Sequence, residues 1–370
     1  MAIHSIFAKR IYTNSQILED RTVYAHQGKI KEIKYTPEAT GSYSVECLSA
    51  GFLDLQVNGG ERFNLSEKGD EEAVRDINDA CSLLGTGYTL PTVISAPLEN
   101  ILKAIRAVRG FKERFPESGV LGMHLEGPFI NPEKRGAHSL SWIRKPEDEE
   151  LKAIIEEGSD VIKLMTIAPE MFTTEQLDML LNSGMTIAAG HSNASYEEAL
   201  HAFDRGVRLV THLYNAMSPF SARHPGLVGA AFDVPDIATP IILDGIHSTF
   251  SAARMAYKIK RTKLFLVSDA LFVGKHKKSY RWGGFNAFLK GDQYVNSEGH
   301  FAGSTISLGD AIRNAVFELG VPLEEAIDMA TRRPAQAIGL ENRIGSVGRG
   351  YPAVFTVFDR GLSTFSTLRL

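Results

Sequence analysis

Apolar and polar positions alternate with a period of two near the start of the chain, around Ile3–Ala8, Thr22–His26 and Lys29–Tyr35. That period marks half-buried strands, and Gln27-Gly28 between the second and third runs predicts a hairpin turn. The run Ala353–Phe358, preceded by Gly345, Gly348 and Gly350, reads the same way near the other end. Two β-rich ends around a different middle predict a small β-sandwich domain built from both termini, residues 1–50 and 345–370.

From residue 51 the pattern changes to short apolar runs separated by stretches of 3.6-residue period. The runs are Phe52–Val57, Tyr88–Val93, Val120–Leu125, Asp160–Thr166, Thr186–Ala189, Leu209–Thr211, Thr239–Leu243 and Leu264–Val267. Helical faces lie between most of them, for example Ala73, Val74, Ile77, Ala80, Cys81 and Leu84, or Tyr196, Ala199, Leu200 and Phe203. Eight strand–helix units in about 220 residues fit an α/β fold of the (β/α)8 TIM-like barrel type, spanning 51–344. An open doubly wound sheet is the runner-up, but no strand leads into a GxGxxG turn. The Gly- and aromatic-rich stretch Tyr280–Gly303 reads as hairpins or a lid, and Leu308–Leu319 as a further helix.

Composition narrows the function. The 370 residues carry 40 Lys plus Arg against 44 Asp plus Glu, a balance without the basic surface that nucleic-acid binding needs. Cys47 and Cys81 form no CxxC pair and no disulfide framework, which points to a reducing compartment. No apolar run approaches 18 residues and the first ten show no signal-peptide core, so the expectation is a cytoplasmic chain with no membrane span.

The chemistry gathers where the strands end. Active sites of barrels lie at the C-terminal ends of their strands, so an acid or imidazole closing an apolar run is a functional candidate. Glu126 closes the third strand, His191 the fifth, His212 the sixth and Asp269 the eighth, with His247 shortly after the seventh. Five such closers on one rim are poorly explained by packing, because each would be a costly buried polar group without a partner. Two imidazoles and a carboxylate form an open metal set that generates hydroxide near neutral pH, and a spare carboxylate can move the proton.

Several segments occur in order: Gly51-Phe-Leu-Asp-Leu-Gln-Val-Asn-Gly59, His124-Leu-Glu-Gly-Pro-Phe129, Lys134-Arg-Gly-Ala-His138, Gly190-His-Ser-Asn-Ala194 and Thr211-His-Leu-Tyr-Asn-Ala-Met217. Asp244-Gly-Ile-His247, Ser268-Asp-Ala270 and Ala302-Gly-Ser304 follow. With these motifs the chain resembles, nearly end to end, the deacetylase family acting on N-acetylglucosamine 6-phosphate, within the amidohydrolase superfamily of metal-dependent barrels. The resemblance implies hydrolysis of the acetamido group to give glucosamine 6-phosphate and acetate. It implies Glu126, His191 and His212 as metal ligands and Asp269 as the catalytic acid and base. His138 would help polarise the acetamido carbonyl, and His247, Asn215 and Ala216 would contact sugar and phosphate. Arg223 would bind the phosphate, where its fork suits the oxygens. A homodimer is also implied, with a neighbouring subunit contributing near the phosphate.

Two departures from the pattern stand out. Most amidohydrolases carry His-x-His at the end of the first strand, where this chain has Gln56-Val-Asn58. Neutral amides are weak ligands, so one divalent ion per subunit is expected, zinc first, with iron or another divalent ion as alternatives. Gln56 and Asn58 then hydrogen-bond to neighbouring ligands or to water. The usual Ala-Asp-Leu before the last strand reads Ala353-Val-Phe355, which touches nothing catalytic.

Other histidines have simpler readings. His124 shares strand parity with Glu126 and reads as a hydrogen-bonded core residue, and His224 as a loop residue near the phosphate. His4, His26, His201, His276 and His300 read as surface or packing residues. The basic run Lys258–Lys263 reads as the solvated end of a helix, and Lys275–Lys278 as a solvated loop. Three functions stay open: the sugar-phosphate deacetylase, with the galacto epimer as its alternative substrate; a dinuclear amidohydrolase with Lys163 as the bridging lysine; and a non-catalytic sugar-phosphate binder.

Overall fold

The computed structural model describes residues 4–14, 16–37, 43–274 and 277–370. Chain ends come together in one six-stranded sheet. Its members are β1 (His4–Tyr12), β2 (Ile17–His26), β3 (Lys29–Tyr35) and β4 (Tyr43–Ala50) from the N-terminal side, with two C-terminal strands, Val354–Phe358 and Phe365–Arg369. Gln27 and Gly28 both take positive φ, 51° and 68°, as a two-residue hairpin turn requires. β4 runs parallel to β1, while Val354–Phe358 pairs antiparallel with β4. The expected sandwich is therefore one continuous sheet. The β3 edge meets the segment leading into Val354–Phe358, because Ile30 N–H of β3 donates to Tyr351 O at 2.8 Å and Ala353 N–H to Gly28 O at 2.8 Å. The sheet curls around Ile6, Ile11, Val23, Ile30, Leu48 and Phe355, all buried.

The central strands are β5 (Leu53–Val57), β6 (Tyr88–Ile94), β7 (Met123–Glu126), β8 (Ile162–Ile167), β9 (Thr186–Ala189) and β10 (Leu209–Val210). They form a parallel half-barrel in simple sequential order. β11 (Thr239–Ile241) and β12 (Leu264–Leu266) make a separate parallel pair. Parallel bridges Leu209–Ala238 and Val57–Ala270 join that pair's surroundings to the two ends of the half-barrel. All eight apolar runs are strands, each within a few residues of the expected bounds.

Strand parity sorts the side chains into two sets. Leu53, Leu55, Tyr88, Leu90, Leu164 and Phe265 pack together inside, whereas Val57, Val93, Leu125 and Met165 face the helices. Burying each such side chain contributes about 1.5–3 kcal/mol. A bulge in β5 breaks the alternation: between Asp54 and Val57 one extra residue opposes β6. Side chains beyond it change face, so Gln56 and Asn58 turn toward the interior.

The stretch after β12 carries a three-stranded antiparallel sheet, β13 (Ser279–Trp282), β14 (Phe285–Lys290) and β15 (Gln293–Val295), over the C-terminal ends of the barrel strands. Trp282 packs its ring 4.4 Å from that of Trp142, tying this sheet to the loop after β7. The two C-terminal sheet strands named above become β16 (Val354–Phe358) and β17 (Phe365–Arg369). One surface expectation fails in part. Lys260 ends the helix Phe250–Lys260 but is buried, donating to Ala231 O and Val234 O, both at 2.7 Å. It closes the C-terminus of a neighbouring helix, and burial lowers its pKa to about 8. His276 and Lys275 lie outside the described residues.

Candidate active site

Sharp turns of the chain set the site. His191, His212 and Asp269 each follow a strand and take left-handed φ values of 47°, 26° and 47°. A non-glycine residue there costs about 1–3 kcal/mol, and such strain concentrates where a side chain must be aimed. Gly190, just before His191, is held to glycine by packing, since a Cβ would meet Thr211 Cβ at 2.6 Å. Beyond His191 the chain enters the helix Tyr196–Arg205 through a capping box of Ser195 and Glu198, which fixes the loop's exit.

The three expected ligands converge. His191 Nε2 and His212 Nε2 lie 3.2 and 3.0 Å from Glu126 Oε1 and 3.2 Å from each other. All three residues are buried. His191 donates from Nδ1 to Lys134 O at 2.9 Å, which leaves the Nε2 lone pair facing the cluster. Four-coordinate sites with bonds of roughly 2.0–2.2 Å have donor–donor edges of about 3.4 Å, so the triangle suits a small divalent cation. Charge points the same way. Burial would raise Glu126's pKa, yet the imidazoles of His138, His191 and His212 around it hold it well below the usual range. Burial depresses His191 to about 4, whereas for His212 the Glu126 carboxylate outweighs burial and raises it. The residues present fit a metal.

The amides of β5 brace this set. Gln56 Nε2 donates to Glu126 Oε1 at 2.8 Å and Asn58 Nδ2 to Asp269 Oδ1 at 2.9 Å. Burial, then repulsion from Glu126, raises the Asp269 pKa. Beneath Glu126, His124 bonds to Thr166 Oγ1 at 2.8 Å and Thr166 to Thr211 Oγ1 at 2.7 Å. His124 is a core residue, as its parity suggests, and burial depresses its pKa to about 4.

Asn58, Glu126, His191, His212 and Asp269 line a cavity of about 630 Å³. His138, Asn215, Ala216 and His247 line it too. His247 Nδ1 sits 2.6 Å from Asp244 Oδ2, while Asp244 Oδ1 accepts from the Ile246 and His247 amides at 2.8 Å each. That clamp leaves Nε2 for the cavity. Arg223 is exposed and does not line this cavity. His224 is a loop residue, its N–H donating to Ser221 Oγ. Lys163 donates to Asp160 O at 2.8 Å and stays off the cavity wall, so it is not placed to bridge a pair of metals.

Sequence reasoning missed part of the wall. His300 is exposed, as expected, and also lines the cavity mouth, its Nδ1 3.2 Å from Gly136 O. Arg135 donates to His138 O at 3.0 Å and pairs with Glu298, joining the loop after β7 to the segment beyond β15. His300 had no periodic or motif signal, whereas Arg135 lies inside the motif Lys134–His138 without having been assigned a role.

Fold and site define a metal-dependent hydrolase, and comparison with known proteins agrees. Residues 47–368 match the amidohydrolase family, and the chain belongs to it. It is 35% identical to the N-acetylglucosamine-6-phosphate deacetylase of Haemophilus influenzae, over 97% of this chain and 96% of that one. It is 36% identical to the N-acetylgalactosamine-6-phosphate deacetylase of a Shewanella strain, over 84% and 79%. Among solved structures, the N-acetylglucosamine-6-phosphate deacetylase of Pasteurella multocida superposes with a TM-score of 0.93 at 30% identity, covering 100% of this chain and 98% of that one.

Proposed function

We propose that the chain is a mononuclear metal hydrolase that removes the acetyl group of N-acetylglucosamine 6-phosphate, releasing glucosamine 6-phosphate and acetate. The observation that carries this is the convergence of Glu126, His191 and His212 in one cavity with Asp269 and His138 beside them. Glu126, His191 and His212 hold the ion. When bound, a divalent cation supplies a Lewis acid and a water of lowered pKa. Asp269 takes the proton of the attacking water and returns it to the sugar nitrogen as the C–N bond breaks. His138 polarises the acyl oxygen, and Asn215, Ala216 and His247 seat the sugar phosphate. Zinc is the first choice of ion.

Arg223 lies outside its own chain's cavity, so its pairing with phosphate goes with a homodimer in which it reaches the neighbouring site. The bridges Leu209–Ala238 and Val57–Ala270 support closure of the half-barrel into a full eight-stranded barrel over 51–344. Residues 1–50 and 345–370 then form the second, β-only domain. Among the described residues no helix is long and apolar enough to cross a membrane, compatible with a cytoplasmic enzyme of amino-sugar breakdown.

The galacto epimer is the second reading, favoured by the Shewanella relative. Acetate release from both 6-phosphates, each against its unphosphorylated sugar, tests both. The gluco 6-phosphate should give the highest kcat/KM; preference for the galacto epimer selects the second reading, and no release from either removes both.

A further inference from the structure

His138 is held from two sides. Its backbone N–H donates to Arg135 O at 3.0 Å, and its carbonyl accepts from Arg135 at 3.0 Å. Its ring meets Ser95, which follows β6 directly and is fully buried. Ser95 Oγ lies 2.8 Å from His138 Nδ1, and the Ser95 backbone N–H also points at Nδ1, at 3.4 Å. A backbone N–H can only donate, so Nδ1 must offer its lone pair. The hydroxyl has no other partner among the described residues, and it too can donate there. Were Nδ1 protonated, two N–H groups would face each other and the hydroxyl proton would be orphaned, at a cost of about 1–3 kcal/mol.

Only one ring nitrogen of a neutral imidazole accepts, so the proton resides on Nε2. Nε2 faces the cluster, 3.7 Å from Glu126 Oε2. Room for the serine is kept by Gly127, where a Cβ would fall 2.4 Å from Ser95 Oγ. We propose that Ser95 is a positioning residue that locks His138 into the Nε2–H tautomer and so presents an N–H donor to the acyl oxygen of the bound acetamide. The proposal rests on the reading of His138 as the group that polarises that oxygen.

Histidine 15N NMR of the zinc-loaded wild-type enzyme reads the tautomer directly. His138 should show a protonated Nε2 and a bare, hydrogen-bonded Nδ1; the opposite tautomer overturns the proposal, with no variant required. In kinetics, Ser95→Ala should lower kcat roughly three- to tenfold, as loss of one neutral hydrogen bond implies, with KM and zinc content kept. Ser95→Thr, which restores a hydroxyl, should recover most of that loss. In a His138→Ala background, Ser95→Ala should cost nothing further, because its effect runs through the imidazole. If the two losses instead multiply, or Ser95→Ala keeps the wild-type rate, Ser95 does not act through His138. If His138→Ala alone keeps the wild-type rate, it is the reading of His138 that fails, and the proposal with it.

Discussion

Asn58 donates an amide N–H to Asp269 Oδ1 at 2.9 Å, where many amidohydrolases would place a second histidine ligand. Gln56, two residues earlier, donates to Glu126 Oε1. Both amides use their nitrogens to hold carboxylates, which leaves no strong donor set for a second cation. Metal analysis after gel filtration should therefore give close to one ion per chain. Chelation should abolish activity, and one equivalent should restore it. The loaded enzyme should also melt higher than the stripped one, since an ion that binds the folded state alone stabilises it. A ratio near two, with activity following the second ion, contradicts this.

Arg223 is exposed, away from the cavity of its own chain. If it reaches phosphate across a subunit interface, Arg223→Ala should chiefly raise KM for the 6-phosphate. Hydrogen bonds to charged groups contribute about 1.5–3 kcal/mol, so kcat/KM should fall roughly ten- to a hundredfold. Activity on the unphosphorylated sugar should hardly change. Mixing Arg223→Ala subunits with subunits inactivated at Asp269 leaves each mixed dimer one site with both residues intact only if the arginine acts in trans. Recovery of phosphate-dependent activity on mixing is the expected result; its absence places the arginine in cis or outside the site.

How much of this was legible in the sequence depended on whether a side chain's partners lay nearby along the chain. Strand runs and the acids and imidazoles closing them could be read because period and position in a barrel are local. The bulge in β5 could not, for the run Leu53, Leu55, Val57 alternates cleanly and hides the change of face at Gln56. β4 shows no alternation because it begins exposed and its last four residues are buried on both faces, and β17 is a half-exposed edge strand of five residues. Ser95 and His300 gain their roles from distant contacts, and Arg135 gains part of its role from its pairing with Glu298. Lys260 shows the same limit, since three carbonyls of another segment bury a residue that reads as solvent-facing.

Asp54 offers a pH test apart from the chemistry. It is buried, and its Oδ1 accepts from the Gln56 and Ser268 amides at 3.2 Å each, tying β5 to the chain after β12. Burial raises its pKa to about 6 from the ordinary 3.8. Between those values the folded state binds the extra proton, so this residue's contribution to stability falls as pH rises from about 4 to 6 and is level above. The change is on the order of 3 kcal/mol. Asp54→Asn keeps an acceptor oxygen but no longer titrates. Subtracting its melting-temperature profile from wild type should leave a slope confined to that window; parallel profiles would show that Asp54 titrates normally.

Asp269 is the residue on which the proposed chemistry most depends. It follows the eighth strand in a left-handed conformation, which a carboxylate placed merely to fill space would not need. Asn58 holds one of its oxygens, and burial, then repulsion from Glu126, raises its pKa, which makes it a stronger proton acceptor than an exposed carboxylate. Asp269→Asn preserves shape and volume while removing the base. General acid–base catalysis contributes roughly 10²–10⁴-fold, so kcat should fall at least that far while substrate affinity and metal content persist. A role as a metal ligand predicts something different, namely that the asparagine variant loses its ion together with its rate. Metal content, substrate affinity and kcat measured on one preparation separate the two. An inactive protein that still holds one ion and binds the 6-phosphate supports proton transfer by Asp269. An inactive protein emptied of metal makes Asp269 a ligand, and one that keeps most of its kcat removes it from the reaction altogether.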